Sequence, residues 1–300
     1  MNGTTFNQLV IFNTIVQEGS ITKAAQKLEM AAPSVSNALK ALEQHIGLPL
    51  FTRTTRRIEV TEAGKLLHDR TYHSISDLNL AVESISDLSR VPTGKVRITV
   101  PRFVYQYVLE PIYAEFCHRY PHIELEISIS DAAIDILNEG FDLGVRFGDR
   151  VEEGMVAKKL TSPTKEAFFA SKDYVQKFGL PSKPDDLKAH KMIQYRFISS
   201  NQIAPLILNN GGENLVVEMP TAMVVNDTTL MVNAARKGLG IGRLIEPMIQ
   251  EDLAQGELIS VLPEYWFPYS GLYVYFHRNT QKAKRVRVLI DFLTEKTQHL

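Results

Sequence analysis

The spacing of apolar residues changes at one point in this chain, and that change limits the folds available to it. Before Pro92, apolar residues recur at intervals of three and four, which is the spacing of helices. After Gly94, stretches with alternating apolar residues, typical of strands, are followed by stretches with helical spacing. A chain of 300 residues also exceeds one domain of about 150 residues. The sequence therefore predicts a helical N-terminal region, a linker at Pro92 to Gly94 and a separate α/β region.

The first sixty residues predict three helices and a hairpin. The hydroxyl of Ser20 can cap the second helix, and Pro33 suits the first turn of the third. Gly47 suits a left-handed stop after that helix. With a hairpin from Leu50 to Val60, the region has the pattern of a winged helix-turn-helix. The apolar stripe that the third helix is expected to bury consists of Val35, Leu39, Leu42 and Ile46.

One face of the third helix carries the side chains that DNA recognition requires. Short hydrogen-bonding groups near a helix N-terminus can reach base edges, and a cation can reach phosphate. Arginines in the hairpin would meet the DNA backbone or the minor groove. The alternatives are an ordinary solvated helix face and a hairpin whose arginines only keep it soluble. The predicted DNA-binding residues are Pro33, Ser34, Ser36, Asn37 and Lys40 on the helix and Arg53, Arg56 and Arg57 in the hairpin.

Net charge limits how such a surface can work. The whole chain carries −1 at pH 7, which excludes a protein that coats polyanions through bulk charge. Residues 1–60 contain six basic and four acidic residues, a net of +2. Because this modest charge gives few phosphate contacts, we expect two copies to combine two half-sites.

One long helix is predicted from Thr61 to Ser89, where no proline or internal turn signal intervenes. Its later half spaces apolar residues as a narrow seam against a partner helix. His68 and Thr71 occupy the preceding seam positions, so a coiled coil is suggested rather than established. The seam residues are Ile75, Leu78, Val82 and Ile85.

We therefore expect a DNA-binding domain at residues 1–60, a dimerisation helix at 61–91 and an α/β domain at 92–300. In the last of these, strands that alternate with helices predict a mostly parallel sheet. The expected helices lie at residues 107–120, 134–137, 229–237 and 286–293, and the expected strands at 96–100, 123–129, 141–147, 223–225 and 239–244.

A small-molecule site is predicted from this architecture. In open α/β sheets, ligands bind at the carboxyl ends of strands, where helix N-termini present free amides. If Arg102 and Arg146 both face the cleft, an anionic ligand is favoured, because guanidinium pairs well with carboxylate. The alternatives are a structural ion pair of Arg146 with Asp142 or another acid and a merely exposed Arg102. The predicted effector-binding residues are Arg102, Phe103, Val104, Asp131, Arg146, Asn226 and Asp227.

No motif for catalysis, a cofactor or a metal is found, so we expect a protein that is not an enzyme. The glycines at 238–242 follow a predicted helix and enter a strand, the reverse of a dinucleotide-binding loop. A core thiol with surface histidines is favoured over a metal site for Cys117, His118 and His122. One cysteine forms no internal disulfide, and neither a signal peptide nor a membrane-spanning stretch is present, so we expect a cytosolic protein.

A longer pattern extends over nearly the whole chain. Its N-terminal part consists of Gly19, Ser20, Ile21, Thr22, Ala24, Ala25, Leu28, Pro33, Val35, Ser36, Leu39, Leu42, Glu43, Gly47, Leu50, Phe51, Arg53, Thr61, Ala63 and Gly64. Its later part consists of Tyr120, Pro121, Gly140, Phe141, Asp142, Arg146, Gly148, Gly238, Leu239 and Gly240. In this order and spacing, the chain resembles the LysR-type transcriptional regulators.

The resemblance implies an α/β protein with an N-terminal winged helix-turn-helix, joined by a long dimerising linker helix to a two-lobed effector domain like a periplasmic binding protein. The lobes would exchange strands, with the first at about 95–163 and 265–300 and the second at about 164–264. It also implies homodimers or homotetramers that bind double-stranded promoter DNA and respond to a small-molecule effector. RNA polymerase is a further candidate partner.

Two other classes of protein are alternatives. A solute-binding protein whose N-terminal helices only dimerise predicts a signal peptide, which is not found at the start of the sequence. An α/β enzyme with an accessory DNA-binding head requires a catalytic constellation at strand ends, and none is found.

Overall fold

A computed structural model describes residues 3–53, 58–86, 91–132, 134–151 and 154–300 of the chain. The chain forms two compact units, Met1–Leu88 and Ser89–Leu300. The division lies a few residues before the predicted linker at Pro92.

The first unit is a winged helix-turn-helix followed by a long helix. The wing is an antiparallel hairpin in which Phe51 is opposite Val60. Its helices are α1 (Gly3–Glu18), α2 (Ile21–Lys27), α3 (Ala32–Ile46) and α4 (Glu62–Ser86), and its strands are β1 (Phe51–Arg53) and β2 (Ile58–Val60).

Local signals in the sequence set the ends of these helices. The Ser20 hydroxyl accepts a hydrogen bond from the amide of Lys23 at 3.4 Å, Pro33 lies in the first turn of α3, and Gly47 ends α3 with φ at +78°. These three predictions are confirmed. Ile46, predicted to be buried, is instead exposed, because it lies in the last turn of α3 beside Gly47.

The helices of the first unit bury one apolar core. Phe12 and Leu39 are fully buried, and the ring of Phe12 packs on that of Phe51 with centroids 5.6 Å apart. Burial of each such side chain contributes about 1.5–3 kcal/mol. The helix α4 begins against this core at Gly64, where a Cβ atom would lie 2.3 Å from the carbonyl oxygen of Leu50. Only glycine permits that approach.

A buried polar network joins α1 to α4. The Asn13 amide donates to the carbonyl of Leu9 at 2.9 Å and to the Thr71 hydroxyl at 3.0 Å. Its oxygen therefore faces Nδ1 of His68 at 2.6 Å, which makes Nδ1 the protonated nitrogen of the neutral ring. Burial lowers the pKa of His68 below its usual 6.5. The two positions that interrupt the apolar seam are thus occupied by partners of Asn13.

The second unit is a mixed α/β structure with two lobes. Its helices are α5 (Arg102–Val104), which continues into a π-helix (Tyr105–Leu109), α6 (Tyr113–Arg119), α7 (Lys172–Phe178), α8 (Thr228–Arg236), α9 (Gln250–Gln255) and α10 (Lys284–Lys296). Its strands are β3 (Gly94–Val100), β4 (Ile123–Ile129), β5 (Leu143–Phe147), β6 (Val156–Lys159), β7 (Thr164–Ser171), β8 (Met192–Tyr195), β9 (Leu206–Asn210), β10 (Glu213–Val217), β11 (Thr221–Val225), β12 (Gly242–Ile245), β13 (Leu258–Val261), β14 (Phe267–Tyr269) and β15 (Leu272–Phe276).

The first lobe contains a sheet with the order β4-β3-β5-β15-β6, and the second a sheet with the order β12-β7-β13, in which β14 also pairs with β7. The prediction of a mostly parallel sheet is wrong. Strand β3 pairs in parallel with β4 and β5, but β15 and β7 pair antiparallel with their neighbours. The reason is that β6, β7, β14 and β15 lie where the chain passes between the lobes.

The two crossing segments bind each other directly. The amide of Leu160 donates to the carbonyl of Leu272 at 2.8 Å, and the amide of Leu272 donates to the Thr161 hydroxyl at 2.9 Å. At Gly271, with φ at +87°, a Cβ atom would lie 2.6 Å from the carbonyl oxygen of Thr161. The lobes are therefore joined by two closely packed strands.

Several predicted elements differ from the structure. The helix expected at 107–120 is divided, because Pro111 cannot continue a helix from the π-helical segment into α6. The helix expected at 134–137 is a series of turns, in which the Asp135 carboxylate accepts from the amides of Leu137 and Asn138. The strand expected at 141–147 begins at Leu143, and the one expected at 239–244 is β12.

We expect Asn13→Ala to lower the free energy of unfolding of the first unit by about 1–3 kcal/mol, because it leaves His68 and Thr71 without their partner inside the core. Urea unfolding followed by far-UV circular dichroism measures this loss. Fluorescence of the only tryptophan, Trp266, reports on the second unit and should not change. The matched control is the exposed Asn7→Ala on the same helix, and an equal loss there would contradict the network.

The lowered pKa of His68 predicts a pH dependence with a definite sign. Above about pH 6.5 His68 is neutral in both states, but below this pH the unfolded chain binds a proton that the folded chain resists. The first unit should therefore lose stability as the pH falls below about 6.5. The difference between wild type and His68→Gln, measured by thermal unfolding at pH 7.5 and 5.5, isolates this contribution. An identical pH dependence in both proteins would contradict it.

Candidate functional site

The polar face of α3 lies at the surface, as DNA contact requires. Pro33, Ser34, Asn37 and Lys40 are exposed, and Ser36 is half-buried. Val35, Leu39 and Leu42 point the other way into the core and fix the orientation of this face. Among the predicted wing residues, Arg53 lies at the end of β1, while its side chain, Arg56 and Arg57 fall outside the described residues.

A carboxylate that sequence reasoning did not assign a role holds the wing against α3. Glu43 Oε1 accepts from the amide of Leu50 at 2.9 Å and from that of Phe51 at 3.3 Å. The Thr61 hydroxyl binds the base of the hairpin by donating to the carbonyl of Pro49 at 2.8 Å. These contacts set the position of the wing relative to the polar face. Glu43 belongs to the pattern that carries the family resemblance, but that pattern does not indicate that its carboxylate binds the amides seven and eight residues further along.

The predicted effector residues lie at the carboxyl ends of strands, as expected. Arg102 and Phe103 follow β3, Asp131 follows β4, and Asn226 and Asp227 follow β11. Asn226 is exposed, and the other four are half-buried. Val104, by contrast, is fully buried and presents no surface to the cleft.

Polar side chains connect the two lobes across this cleft. Arg102 Nε of the first lobe lies 2.7 Å from Asp227 Oδ2 of the second. Gln106 donates to the Thr229 hydroxyl at 3.4 Å, again from the first lobe to the second. The two lobes are therefore in polar contact at the cleft. Two of the predicted effector residues, Arg102 and Asp227, take part in that contact.

Asp131 supports the same junction from the first lobe. Its Oδ1 accepts from the backbone amide of Arg102 at 3.0 Å, and its carboxylate is hydrogen-bonded to the phenol of Tyr195 in the second lobe. Burial, reinforced by Asp131, raises the pKa of Tyr195 well above its usual range, so this phenol remains protonated. Tyr195 was missed by sequence reasoning, because a tyrosine at the end of an apolar strand looks like a core residue.

Asp227 has a second task at the start of α8. Its Oδ1 accepts from the amide of Leu230 at 2.9 Å, so it is the N-cap of that helix. One carboxylate oxygen therefore caps α8 while the other pairs with Arg102. Both contacts place negative charge at the positive end of the helix.

Arg146 is engaged by the backbone of its own lobe. Its Nη1 donates to the carbonyls of Val145 and Thr99, and its Nη2 to those of Ser130 and Ala132, at 2.8–3.5 Å. Burial lowers the pKa of this guanidinium.

The ion pair with Asp142, weighed as an alternative for Arg146, is not what Arg146 forms. Asp142 accepts from the amide of Arg97 at 2.8 Å and lies 3.9 Å from Nη2 of Arg285. Burial raises the pKa of Asp142 to about 6.

An aromatic stack extends from the cleft toward the second lobe. Phe103 stacks on Phe147 with centroids 5.5 Å apart, and Phe147 stacks on Tyr269 at 4.4 Å. The Tyr269 hydroxyl donates to Glu166 at 3.3 Å, and Glu166 pairs with Arg243 at 3.4 Å. Burial raises the pKa of Glu166. The partners come from α5 and from four strands that are remote in the sequence, so no local pattern indicates them.

Within the described part of the chain, no three His, Cys, Asp or Glu side chains come together as a metal site, and no helix is long and apolar enough to cross a membrane. The interpretation of Cys117 as a core thiol is wrong. Cys117 is exposed, because α6 turns its neighbour Phe116 into the core instead.

Comparison with known proteins matches both units. Residues 6–65 match the family model of the bacterial regulatory helix-turn-helix protein, lysR family, and residues 89–298 match that of the LysR substrate binding domain. The chain is 30% identical to the probable HTH-type transcriptional regulator LtrA of Klebsiella pneumoniae, over 98% of this chain and 96% of that protein. It is 29% identical to the HTH-type transcriptional regulator PgrR of Escherichia coli, over 96% of each chain. Among solved structures, the full-length virulence activator AphB of Vibrio cholerae has the same fold, with a TM-score of 0.65 at 24% identity over 97% of this chain and 99% of that one.

We expect Arg146→Gln to lower the free energy of unfolding of the second unit by about 1.5–3 kcal/mol without any ligand, because four carbonyls lose a charged donor. Urea unfolding followed by Trp266 fluorescence measures the loss. The control is Arg150→Gln, an exposed arginine of the same lobe, which should change stability by less than about 0.5 kcal/mol. Unchanged stability of Arg146→Gln would instead leave this guanidinium to a ligand.

Proposed function

Because the chain belongs to the LysR family of bacterial transcriptional regulators, we propose that the polar face of α3 binds bases and phosphates in promoter DNA. The protein is a DNA-binding transcriptional regulator with an effector-binding domain, and it is not an enzyme. The observation that carries the proposal is the exposure of Pro33, Ser34, Asn37 and Lys40 on the side of α3 opposite to its buried stripe.

The residues of this face divide into two roles. Ser34, Ser36 and Asn37 near the start of α3 carry the short polar groups that read base edges in the major groove. Lys40, one turn further along, supplies a phosphate contact. Arg53, Arg56 and Arg57 of the wing supply further phosphate or minor-groove contacts.

Two copies of the chain bind DNA together in this proposal. Leu78 and Val82 of α4 are exposed, with 52% and 68% of their surface accessible, and they form the seam for a partner helix. Ile75 does not belong to this seam, because it is buried in the core of the first unit. The side chain of Ile85 lies outside the described residues. A homodimer or homotetramer places two α3 helices on two half-sites and doubles the modest charge of one head.

The effector binds between the lobes in this proposal, at Arg102, Phe103, Asp131, Asn226 and Asp227. These side chains surround contacts that hold the lobes together, so a ligand that inserts there changes the arrangement of the lobes. The change in DNA binding can be no larger than the difference in the ligand's affinity for the two arrangements. The regulator acts in the cytosol, and RNA polymerase is the partner through which it acts on transcription.

The DNA interface is tested by gel shift with a fragment that the wild-type protein retains from a library of genomic fragments. Ser36→Ala should cost about 1 kcal/mol of specific binding, because one hydrogen bond is lost. Lys40→Ala should lower the slope of log affinity against log salt by about 1. Lys237→Ala, an exposed lysine of the second unit, is the matched control. If Ser36→Ala and Lys40→Ala both bind like the control, the α3 assignment is wrong.

A further inference from the structure

We propose that the Arg102–Asp227 pair marks the binding place of a zwitterionic effector, one that carries a carboxylate and an ammonium group a few bonds apart, as α-amino acids do. The ligand inserts between the two side chains, with its carboxylate on Arg102 and its ammonium on Asp227. This inference rests on the proposed effector site between the lobes and names its ligand class.

The position and the exposure of the Arg102–Asp227 pair allow a ligand to replace the contact between its two members. Its two members belong to different lobes, so a molecule between them contacts both lobes at once. Their side chains remain 42% and 33% exposed, and ion pairs of such exposure are weak. Further hydrogen bonds fix the positions of both residues. The backbone amide of Arg102 donates to Asp131, and the amide of Leu230 donates to Asp227. The two charged groups therefore stay in position when the pair separates.

Charge balance selects the class of ligand. A simple carboxylic acid would pair with Arg102 but leave Asp227 without its cation, beside a second carboxylate at Asp131. A simple amine would pair with Asp227 and leave Arg102 without its anion. A zwitterion satisfies both groups and exchanges one ion pair between the lobes for two ion pairs with the ligand. Each singly charged ligand therefore leaves one of the two groups to solvation by water alone, whereas the dipolar ligand pairs both.

Uncharged polar groups complete the place. The Thr228 hydroxyl, in the first turn of α8, is buried and has no hydrogen-bond partner among the described residues. It can donate to a ligand carboxylate, which also lies favourably near the positive end of α8. The protonated phenol of Tyr195 reaches the same junction through Asp131. The half-buried ring of Phe103, next to Arg102, stacks on Phe147 and packs against the core of the second lobe, so its exposed part is what a ligand side chain can contact.

The test uses the purified full chain and each of the standard α-amino acids, first by thermal shift and then by calorimetric titration. We expect at least one of them to bind. Its des-amino acid and its decarboxylated amine should each bind at least about tenfold more weakly, because each lacks one of the two charges.

Variants of the pair identify the place of binding. Asp227→Asn removes the charge and keeps an effective N-cap on α8, so folding should be preserved. Both Asp227→Asn and Arg102→Gln should weaken binding of the amino acid at least about tenfold. Asp185→Asn and Lys188→Gln disrupt an exposed ion pair of similar length, 2.9 Å, in the same unit and should leave binding unchanged. Trp266 fluorescence during urea unfolding checks that every variant is folded.

Three outcomes would overturn the inference: no amino acid binds, the des-amino acid binds as tightly as the amino acid, or the pair variants bind as tightly as the controls. A gel shift with the same wild-type preparation separates this failure from a failure of the proposed function. Retained DNA binding without amino-acid binding leaves the regulator intact and removes only the ligand class. Loss of DNA binding by wild type removes the proposed DNA interface itself.

Discussion

The double crossing between the lobes is the constraint on which the effector domain depends. Because the segments at Leu160–Thr161 and Gly271–Leu272 bind each other through their backbones, the two sheets are tied together at one side. That tie brings the carboxyl ends of β3, β4 and β11 to the same cleft, although the last residues of β3 and β11, Val100 and Val225, are 125 positions apart in the chain. The ion pair, the Asp131 bridge and the aromatic stack all join residues that are remote in the chain and that this junction holds near one another.

Charges in the cleft are arranged in compensated groups. The positive charge of Arg102 is paired with Asp227, and the guanidinium of Arg146 donates hydrogen bonds to carbonyls of the loop after β4. The sequence-based expectation of an anionic ligand required two free guanidinium groups facing the cleft. With one arginine paired and the other structural, that argument no longer holds. What remains is an ion pair between the two lobes, Arg102 with Asp227, at the place proposed for the effector.

Local signals made much of the N-terminal unit predictable. The Ser20 cap, Pro33 in the first turn and the left-handed Gly47 each act within a few residues, and the apolar stripe of α3 orients its polar face. The effector domain was less predictable, because its decisive contacts join remote segments. Strands β15 and β7 each pair antiparallel with their own neighbours because the chain crosses between the lobes, and such crossings leave no periodic pattern in the sequence. A tyrosine such as Tyr195 has the same local sequence pattern whether it lies in a core or in a cleft. Arg146 shows the same limit: the sequence indicates an important arginine but not that its partners are main-chain carbonyls.

Glu43 shows how an acid can have a structural role in a DNA-binding head. Its Oε1 atom accepts from two main-chain amides at the base of the wing, and the dipoles of those amides stabilise its negative charge. The carboxylate of Glu43 thus supports the position of the wing beside the helix face that is proposed to bind DNA.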